Sequence, residues 1–359
     1  MSSVFDYLDW RGDITFSEAR LNEIDSLILS MICYIDFDGI VPAVQDGKSV
    51  QFLSAARQYL RAHKGEQAYL GAILPPSVVT LLARAAKTQR FANIRLIGYV
   101  NNVDSATQTQ FSALTYLLGD GNIFVAYRGT DDTLVGWKEN FNMSFMDAVP
   151  AQLEAVKYLE NAARAHEGGI WSGGHSKGGN LAVFATVKAP PSVKERIITT
   201  FNNDGPGFNT NFIESIDYQN MKGNIRTIIP ESSVVGLLLE HEETYEVIKS
   251  TQTGLLQHDP FSWQLLGSKF IYLNSISKES RQIDKTLKGW LRDMDMTQRA
   301  EFVDAVYETL SATSATTLTD ISTDKFKLLK AWGNLSEENK NIIMKSIKLL
   351  FKSTRAKKK

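Results

Sequence analysis

Apolar residues recur at helical spacing in the N-terminal part of the chain. Between residues 17 and 34 they lie three or four positions apart, which predicts a helix with Ser17 as its cap. Two further helices are predicted over residues 50–62 and 77–86, separated by the helix-breaking segment Leu74-Pro75-Pro76. The chain therefore begins with helices. The stripe of the first one consists of Leu21, Ile24, Leu27, Ile28, Met31 and Ile32.

Strand patterns follow at residues 94–100, 110–117 and 122–127. The second of these alternates apolar and polar positions, and the turn Gly119-Asp120-Gly121 separates it from the third. We therefore expect a hairpin here, and with it at least one antiparallel pair in the sheet.

The next part of the chain alternates helices and strands. A helix over 151–165 precedes a short strand that ends before Ser176, and strands over 196–201, 224–229 and 244–249 follow. This alternation predicts an α/β fold with a mostly parallel sheet and helices on both faces. From residue 279 onward the periodicity is helical only. We therefore predict an α/β domain over 1–275 and a helical region over 276–359 packed on it, with a basic tail at 352–359.

Charge and composition exclude some classes of function. With 39 basic and 40 acidic residues, the formal net charge is −1, so the overall charge of the chain does not favour nucleic acid as a partner. The basic tail either frays into solvent or makes a weak contact with anionic lipid headgroups. The one cysteine, Cys33, lies in an apolar stretch and is expected to be a buried thiol. Without a signal-peptide pattern or a membrane-length apolar run, the sequence predicts a cytoplasmic protein.

The segment Gly174-His175-Ser176-Lys177-Gly178 is the most informative motif of the chain. It matches the G-x-S-x-G pattern of a nucleophile elbow, a sharp turn from strand to helix that exposes a serine hydroxyl. Glycines flank the serine because the strand and the following helix approach closely there. Ser176 is therefore the candidate nucleophile, although a plain glycine-rich turn with an exposed serine would give the same letters.

A serine hydroxyl needs a neighbouring base, and in elbow folds the histidine follows the serine in the chain. Only His241 and His258 satisfy that order. His258 lies in a loop after a strand, where a base is expected, whereas His241 lies among acids and is expected to be a solvated residue. We favour His258.

The base needs an acid to orient it. Asp204 comes directly after a predicted strand, in a loop fixed by glycines and a proline, and is the favoured candidate. Glu231, one strand later, is the alternative. An ordinary Asp-Gly turn would also explain Asp204.

Two donors are needed to hold the negative charge of the reaction intermediate. The backbone N–H of Lys177 opens the elbow helix and is one candidate, with its side chain expected to be solvated. Thr130 follows the strand at 122–127 and offers both an N–H and a hydroxyl. The proposed chemistry uses neither a metal nor a cofactor.

Two sets of motifs carry a resemblance to known families. Tyr127-Arg-Gly-Thr130, Gly136-Trp137, Asn140 and the elbow resemble the class 3 lipases. A longer set looks like the bacterial domain of unknown function 2974 family. It adds Asn203-Asp-Gly-Pro-Gly-Phe208, Pro230-Glu-Ser-Ser-Val-Val-Gly236 and Gln257-His-Asp259 with Trp263.

The resemblance implies an α/β-hydrolase fold of the class 3 lipase type, with Ser176 as nucleophile, Thr130 as oxyanion donor and His258 as base. Class 3 lipases take their acid from an aspartate where this chain has Ile229-Pro-Glu-Ser-Ser, which favours Asp204. We expect a serine esterase acting on a small-molecule ester, such as an acyl lipid. The alternatives are a non-catalytic interaction protein, or a thioesterase or peptidase using the same residues.

Overall fold

A mixed sheet forms the centre of the computed structural model, which describes residues 2–43, 46–64, 77–131, 133–311, 317, 332–333 and 335–355. In these ranges the sheet has nine strands in the order β1-β2-β3-β4-β5-β6-β7-β8-β11, and β9 and β10 form a separate hairpin. The strands are β1 Val50–Gln51, β2 Arg95–Asp104, β3 Thr109–Leu117, β4 Ile123–Tyr127, β5 Ile170–His175, β6 Ile197–Asn203, β7 Ile225–Pro230, β8 Tyr245–Ile248, β9 Leu265–Leu266, β10 Lys269–Phe270 and β11 Tyr272–Leu273.

Strands β4 to β8 are parallel, whereas β1, β2 and β3 extend one side of the sheet by antiparallel pairing and β11 pairs antiparallel with β8. The predicted hairpin of β3 and β4 and the mostly parallel sheet are confirmed. Parallel strands need crossover connections, and α-helices supply these between β4 and β7, whereas a loop with one short 3₁₀ helix joins β7 to β8. The helices are α1 Val4–Arg11, α2 Glu23–Ile32, α3 Phe52–Ala62, α4 Ser77–Ala85, α5 Gln89–Ala92, α6 Leu134–Asn142, α7 Pro150–Ala165, α8 Lys177–Lys188, α9 Pro191–Lys194, α10 Thr210–Ile213, α11 Ile216–Met221, α12 Lys278–Arg292, α13 Met296–Ser311 and α14 Glu337–Arg355.

Both faces of the sheet are buried. Side chains alternate across a strand, so Phe124 and Ala126 of β4 face one apolar cluster while Val125 and Tyr127 face another. The first cluster is built with the N-terminal helices, including every apolar residue of α2, and the second with α7, α8 and α11. The prediction of helices on both faces is confirmed, and the chain has the α/β-hydrolase fold.

The first long helix is shorter than predicted, because it begins after Asn22 and not at Ser17. The Asn22 side chain accepts hydrogen bonds from the N–H groups of Ile24 and Asp25, which satisfies the first turn. Ser17 instead donates to the carbonyl of Gly119, 3.3 Å away. At residues 50–51 a short strand replaces the predicted helix start, and the helix begins at Phe52. The predicted break at 74–76 lies outside the described residues.

Of the helices that follow the sheet, α13 packs on α6. Lys138 of α6 forms a 2.8 Å ion pair with Asp304 of α13, and Arg299 donates to the carbonyl of Ser144 at 2.7 Å. Within the group, Trp290 donates to the Ser346 carbonyl at 2.8 Å. None of the helices in the described ranges is both long enough and apolar enough to cross a bilayer. The predicted contact of the basic tail with lipid falls on side chains that lie outside the description.

Candidate active site

The carboxyl ends of the parallel strands lie at one edge of the sheet. Tyr127 of β4 is in register with Gly174 of β5, and His175 is in register with Asn203 of β6. The residues that follow these strands are therefore neighbours across the sheet edge. Open parallel sheets bind ligands at this edge. Thr130, Ser176, Asp204 and Glu231 all follow such strand ends.

The turn around Ser176 has the backbone geometry of a nucleophile elbow. Ser176 has φ 59° and ψ −135°, a conformation that costs a non-glycine residue energy. A Cβ on Gly174 would lie 2.2 Å from the carbonyl carbon of Gly178, and a Cβ on Gly178 would lie 2.1 Å from the Tyr127 oxygen. Only glycine fits at both positions. The strand, turn and helix predicted from the motif are thus present.

His258 and Asp204 form a direct hydrogen bond. The Nδ1 of His258 lies 2.6 Å from Oδ2 of Asp204, whose side chain is fully buried. Because a carboxylate only accepts, Nδ1 carries a proton, and in the neutral form of the ring Nε2 has the lone pair. The side chain of His258 remains 21% exposed. The imidazole is therefore oriented by a buried acid, with its other nitrogen free to accept a proton.

His175, the residue before Ser176, contacts His258. The rings of His175 and His258 lie 4.5 Å apart, centroid to centroid, and Nε2 of His175 donates to the His258 carbonyl at 2.9 Å. Within the described ranges, neither Ser176 Oγ nor His258 Nε2 makes a hydrogen bond. Serine–imidazole contacts are often open without substrate, and rotation about the serine Cα–Cβ bond repositions its hydroxyl.

Burial lowers the pKa of His175 well below its ordinary value, and the neighbouring His258 adds to this effect. Its Nε2 donates to a carbonyl, and its Nδ1 is buried without a partner in the described part of the chain. His175 is therefore neutral. It supports the loop of His258 without competing for a proton.

Asp204 is held in place by a second donor. Ser233 Oγ lies 2.5 Å from Asp204 Oδ1, and a Cβ on Gly236 would come within 2.3 Å of the same oxygen. Ser280, in the first turn of α12, donates to the Ser233 carbonyl at 2.5 Å. Both carboxylate oxygens of Asp204 thus have a donor. One of these donors is Ser233, whose backbone is held by α12.

Glu231 does not reach the imidazole. Its backbone accepts from the N–H of Ser277 and donates to the carbonyl of Ile248, but its carboxylate has no hydrogen bond or ion pair among the residues described. The structure therefore brings Asp204, and not the alternative Glu231, to His258.

The loop after β4 lies against the elbow. A Cβ on Gly129 would come within 2.5 Å of the His175 carbonyl oxygen and 3.1 Å of the Ser176 Cβ. Next in this loop, Thr130 is buried, and its Oγ1 accepts a 2.5 Å hydrogen bond from Asn140 Nδ2. The backbone N–H groups of Thr130 and Lys177 have no acceptor in the described ranges. Two unused donors therefore flank the serine.

The predicted solvated position of the Lys177 side chain is wrong. Its side chain is fully buried, and Nζ donates to Glu139 Oε2 at 2.8 Å and to the Gln110 carbonyl at 2.7 Å. The first residue of α8 points inward, between β3 and α6, where water does not reach. Burial lowers the pKa of Lys177, and the attraction of Glu139 opposes that shift.

The side chain of His241 is also buried, so the prediction of a solvated residue is wrong for it as well. Its Nδ1 pairs with Glu243 at 3.0 Å. Burial raises the pKa of Glu243, but the stronger combined effect of His241 and of the hydroxyls of Thr227 and Tyr218 lowers it to about 2. His241 thus has its own acid partner and does not bind Asp204.

Two residues of this region were not predicted from the sequence. Ser233 lies within the motif Pro230–Gly236, and Glu139 lies between the motif residues Trp137 and Asn140, so both are close to motifs that carry the family resemblance. Their contacts depend on packing between distant segments.

Cys33 is a buried free thiol, as expected, and burial raises its pKa to about 12. In the described ranges, no three His, Cys, Asp or Glu side chains converge to bind a metal.

Comparison with solved structures finds lipases at low identity. A Rhizomucor miehei lipase–propeptide complex aligns over 44% of this chain and 57% of that one, with 14% identity and a TM-score of 0.33. The M37 lipase aligns over 59% and 68%, with 15% identity and a TM-score of 0.37. Lip2 lipase from Yarrowia lipolytica aligns over 54% and 74%, with 14% identity and a TM-score of 0.34. This chain therefore spans little more than half the length of the Rhizomucor lipase.

A search of curated proteins finds no match. A family model described as Mbeg1-like matches residues 85–308, which include every strand from β2 to β11 and the whole site. Since that match covers more than half of the 359 residues, the chain, with its α/β-hydrolase fold, belongs to the Mbeg1-like family.

Proposed function

We propose that this protein is a serine hydrolase that cleaves carboxylic esters through an acyl-enzyme. The observation that carries the proposal is the 2.6 Å hydrogen bond from His258 to the buried Asp204, next to a serine in strained elbow geometry. A neutral imidazole with a free Nε2 is the base that a serine alcohol requires.

In the first step, Ser176 Oγ attacks the ester carbonyl carbon and its proton passes to Nε2 of His258. The carbonyl oxygen becomes an oxyanion, which the backbone N–H groups of Lys177 and Thr130 stabilise. The Thr130 hydroxyl can act as a third donor. Its oxygen accepts a hydrogen bond from Asn140 Nδ2, which leaves the hydroxyl hydrogen free to donate to the oxyanion. Collapse of the intermediate breaks the ester C–O bond, and the alcohol leaves with the proton from the imidazolium.

The second step repeats this chemistry with water. His258 deprotonates a water molecule, which attacks the acyl carbon, and the proton returns to Ser176 as the acid leaves. Throughout, the carboxylate of Asp204 stabilises the imidazolium and holds its tautomer. The reaction is balanced without any further reactant.

An apolar acyl group fits the surroundings of the base. Leu255 and Leu256 precede His258 in one short 3₁₀ helix, and they are 68% and 65% exposed. Exposed leucines beside a reaction centre offer contact area to an alkyl chain. We therefore place acyl lipids and other small apolar esters first among substrates.

The proposal is tested with p-nitrophenyl esters from acetate to palmitate. Ser176→Ala and His258→Ala are each expected to lower kcat by about 10⁴–10⁶-fold, since such residues act as one unit. His63→Ala, at an exposed histidine, is the matched control and should leave kcat unchanged. Activity of Ser176→Ala equal to that of the wild type would refute the proposal.

One observation favours a second candidate, a non-catalytic member of the fold. Ser176 Oγ and His258 Nε2 are not hydrogen-bonded to each other in the described structure. A protein that only binds a partner would hydrolyse none of these esters.

Parallel assays with thioesters and anilides decide whether the same residues cleave acyl compounds with other leaving groups.

A further inference from the structure

A buried ion pair lies beneath the elbow. Lys177 is the first residue of α8 and Glu139 belongs to α6, and the side chains of both are fully buried with Nζ and Oε2 2.8 Å apart. Burying two charges is costly, and apolar residues of similar volume often serve stability as well or better. Stability alone therefore gives little reason for an ion pair at this position.

The pair joins four segments of the chain. The Lys177 ammonium donates to the carbonyl of Gln110 in β3, and Glu139 Oε2 accepts from the N–H of the same Gln110 at 3.1 Å. Glu139 Oε1 accepts from the N–H of Ala151 in α7 at 2.8 Å. The carboxylate thus fixes β3, α6, α7 and α8 relative to one another.

Both proposed oxyanion donors are attached to these segments. One donor is the backbone N–H of Lys177 itself. The other belongs to Thr130, whose hydroxyl is held by Asn140, the residue after Glu139. The Gln110 side chain also donates to the carbonyl of Gly129, 3.4 Å away. A shift of the ion pair would therefore move the two donors relative to each other.

We propose that the Lys177–Glu139 pair sets the spacing of the two oxyanion donors, so that the Lys177 side chain and Glu139 are positioning residues for ester hydrolysis. This inference rests on the proposed function. It concerns the transition state and not substrate binding, because the oxyanion forms only after attack. The pair should therefore influence kcat and leave KM nearly unchanged.

The test compares variants that remove or stretch the pair. Lys177→Met with Glu139→Gln removes both charges together, so that no unpaired charge stays buried, and the backbone donor of residue 177 remains. Glu139→Asp keeps both charges but shortens the acid by one methylene. The matched control is Lys157→Met with Glu154→Gln, which removes an exposed ion pair of the same 2.8 Å length.

Three quantities are measured for each folded variant: kcat, KM and the inhibition constant of an alkyl trifluoromethyl ketone. The ketone adds to the serine and forms an oxyanion, so its affinity reports on the two donors. We expect kcat to fall about 10–100-fold in the double variant and less in Glu139→Asp, because small misplacements are costly in catalysis. The inhibition constant should rise by the same factor, with KM and the control unchanged.

Two results would overturn the inference. Wild-type kcat and ketone affinity in the folded double variant would mean that the pair serves stability alone. If that variant does not fold, wild-type values in Glu139→Asp would lead to the same conclusion. A wild-type protein that neither hydrolyses esters nor binds the ketone would instead refute the proposed function, so the two failures are distinguishable.

Discussion

His258 donates from Nδ1 to Oδ2 of Asp204 across 2.6 Å, although 54 positions separate the two residues in the chain. The bond leaves the opposite ring nitrogen as a free base. It also favours Asp204 over Glu231 as the proposed acid, because the carboxylate of Glu231 has no partner in the described part of the protein. The first prediction follows from this contrast.

Asp204→Asn is expected to lower kcat by about 10⁴-fold. An amide NH₂ facing Nδ1 would favour the tautomer that carries its proton on Nε2, which then cannot accept from the serine. Glu231→Gln is the matched control and should retain activity within about twofold. Steady-state kinetics of both variants decide the matter, and an inactive Glu231→Gln beside an active Asp204→Asn would reverse the assignment.

Ser233→Ala should weaken both stability and activity. It deprives the fully buried Asp204 Oδ1 of its donor, which costs about 1–3 kcal/mol of unfolding free energy. A carboxylate held on one side only should also lower kcat about tenfold. Urea unfolding and ester kinetics measure the two effects. Ser232→Ala, whose hydroxyl lies 3.2 Å from Ser277 Oγ, is the control; an equal loss in both variants would argue against a specific role for Ser233.

Gly129→Ala should displace the loop that carries Thr130. The added Cβ would meet the His175 carbonyl oxygen at 2.5 Å, a backbone contact that no side-chain rotation relieves. We expect kcat to fall at least about 100-fold, since an oxyanion donor is moved away from Ser176. Gly223→Ala adds a methyl group in open space and serves as the control. Unchanged kcat in a folded Gly129→Ala protein would remove this loop from the mechanism.

Protonation of His175 should destabilise the fold in acid. Its pKa is lowered by burial, so below about pH 6.5 the unfolded chain binds more protons than the folded chain. The stabilisation from this group is complete above about pH 6.5 and is lost as the pH falls toward the lower folded pKa, by at most about 1.4 kcal/mol per pH unit. His175→Gln keeps a donor for the His258 carbonyl but does not titrate.

Urea unfolding of wild type and His175→Gln between about pH 7.5 and pH 5.5 measures this effect. The wild type should lose more stability than the variant over this interval, because only the wild type takes up a proton at residue 175 on unfolding. Parallel pH profiles for the two proteins would show that residue 175 does not titrate on unfolding.

Local constraints explain what the sequence predicted well. The elbow was predictable because strand, turn and helix are contiguous and only glycine fits on either side of Ser176. The order of residues along the chain then reduced the five histidines to two. The alternation of helix and strand patterns was enough to predict a largely parallel sheet with both faces covered.

Long-range packing explains what was missed. The burial of Lys177 depends on its ion pair with Glu139 of α6, 38 positions away. Nothing in the local sequence around Lys177 predicts that partner. The burial of His241 likewise depends on Tyr218 and Thr227 closing around Glu243. Both Ser17 and Asn22 are residue types that cap helices, so the sequence alone did not show which one begins the helix. Ser17 instead binds the carbonyl of Gly119, which is distant in the chain.

The most direct test of the central claim is covalent labelling by a fluorophosphonate, followed by mass spectrometry of the modified peptide. An activated serine displaces fluoride from the phosphorus, whereas an ordinary surface serine does not react. The account predicts one modified residue, Ser176, with labelling lost in Ser176→Ala and strongly slowed in His258→Ala. Absence of labelling in the folded wild type, or equal labelling of Ser176→Ala, would contradict it.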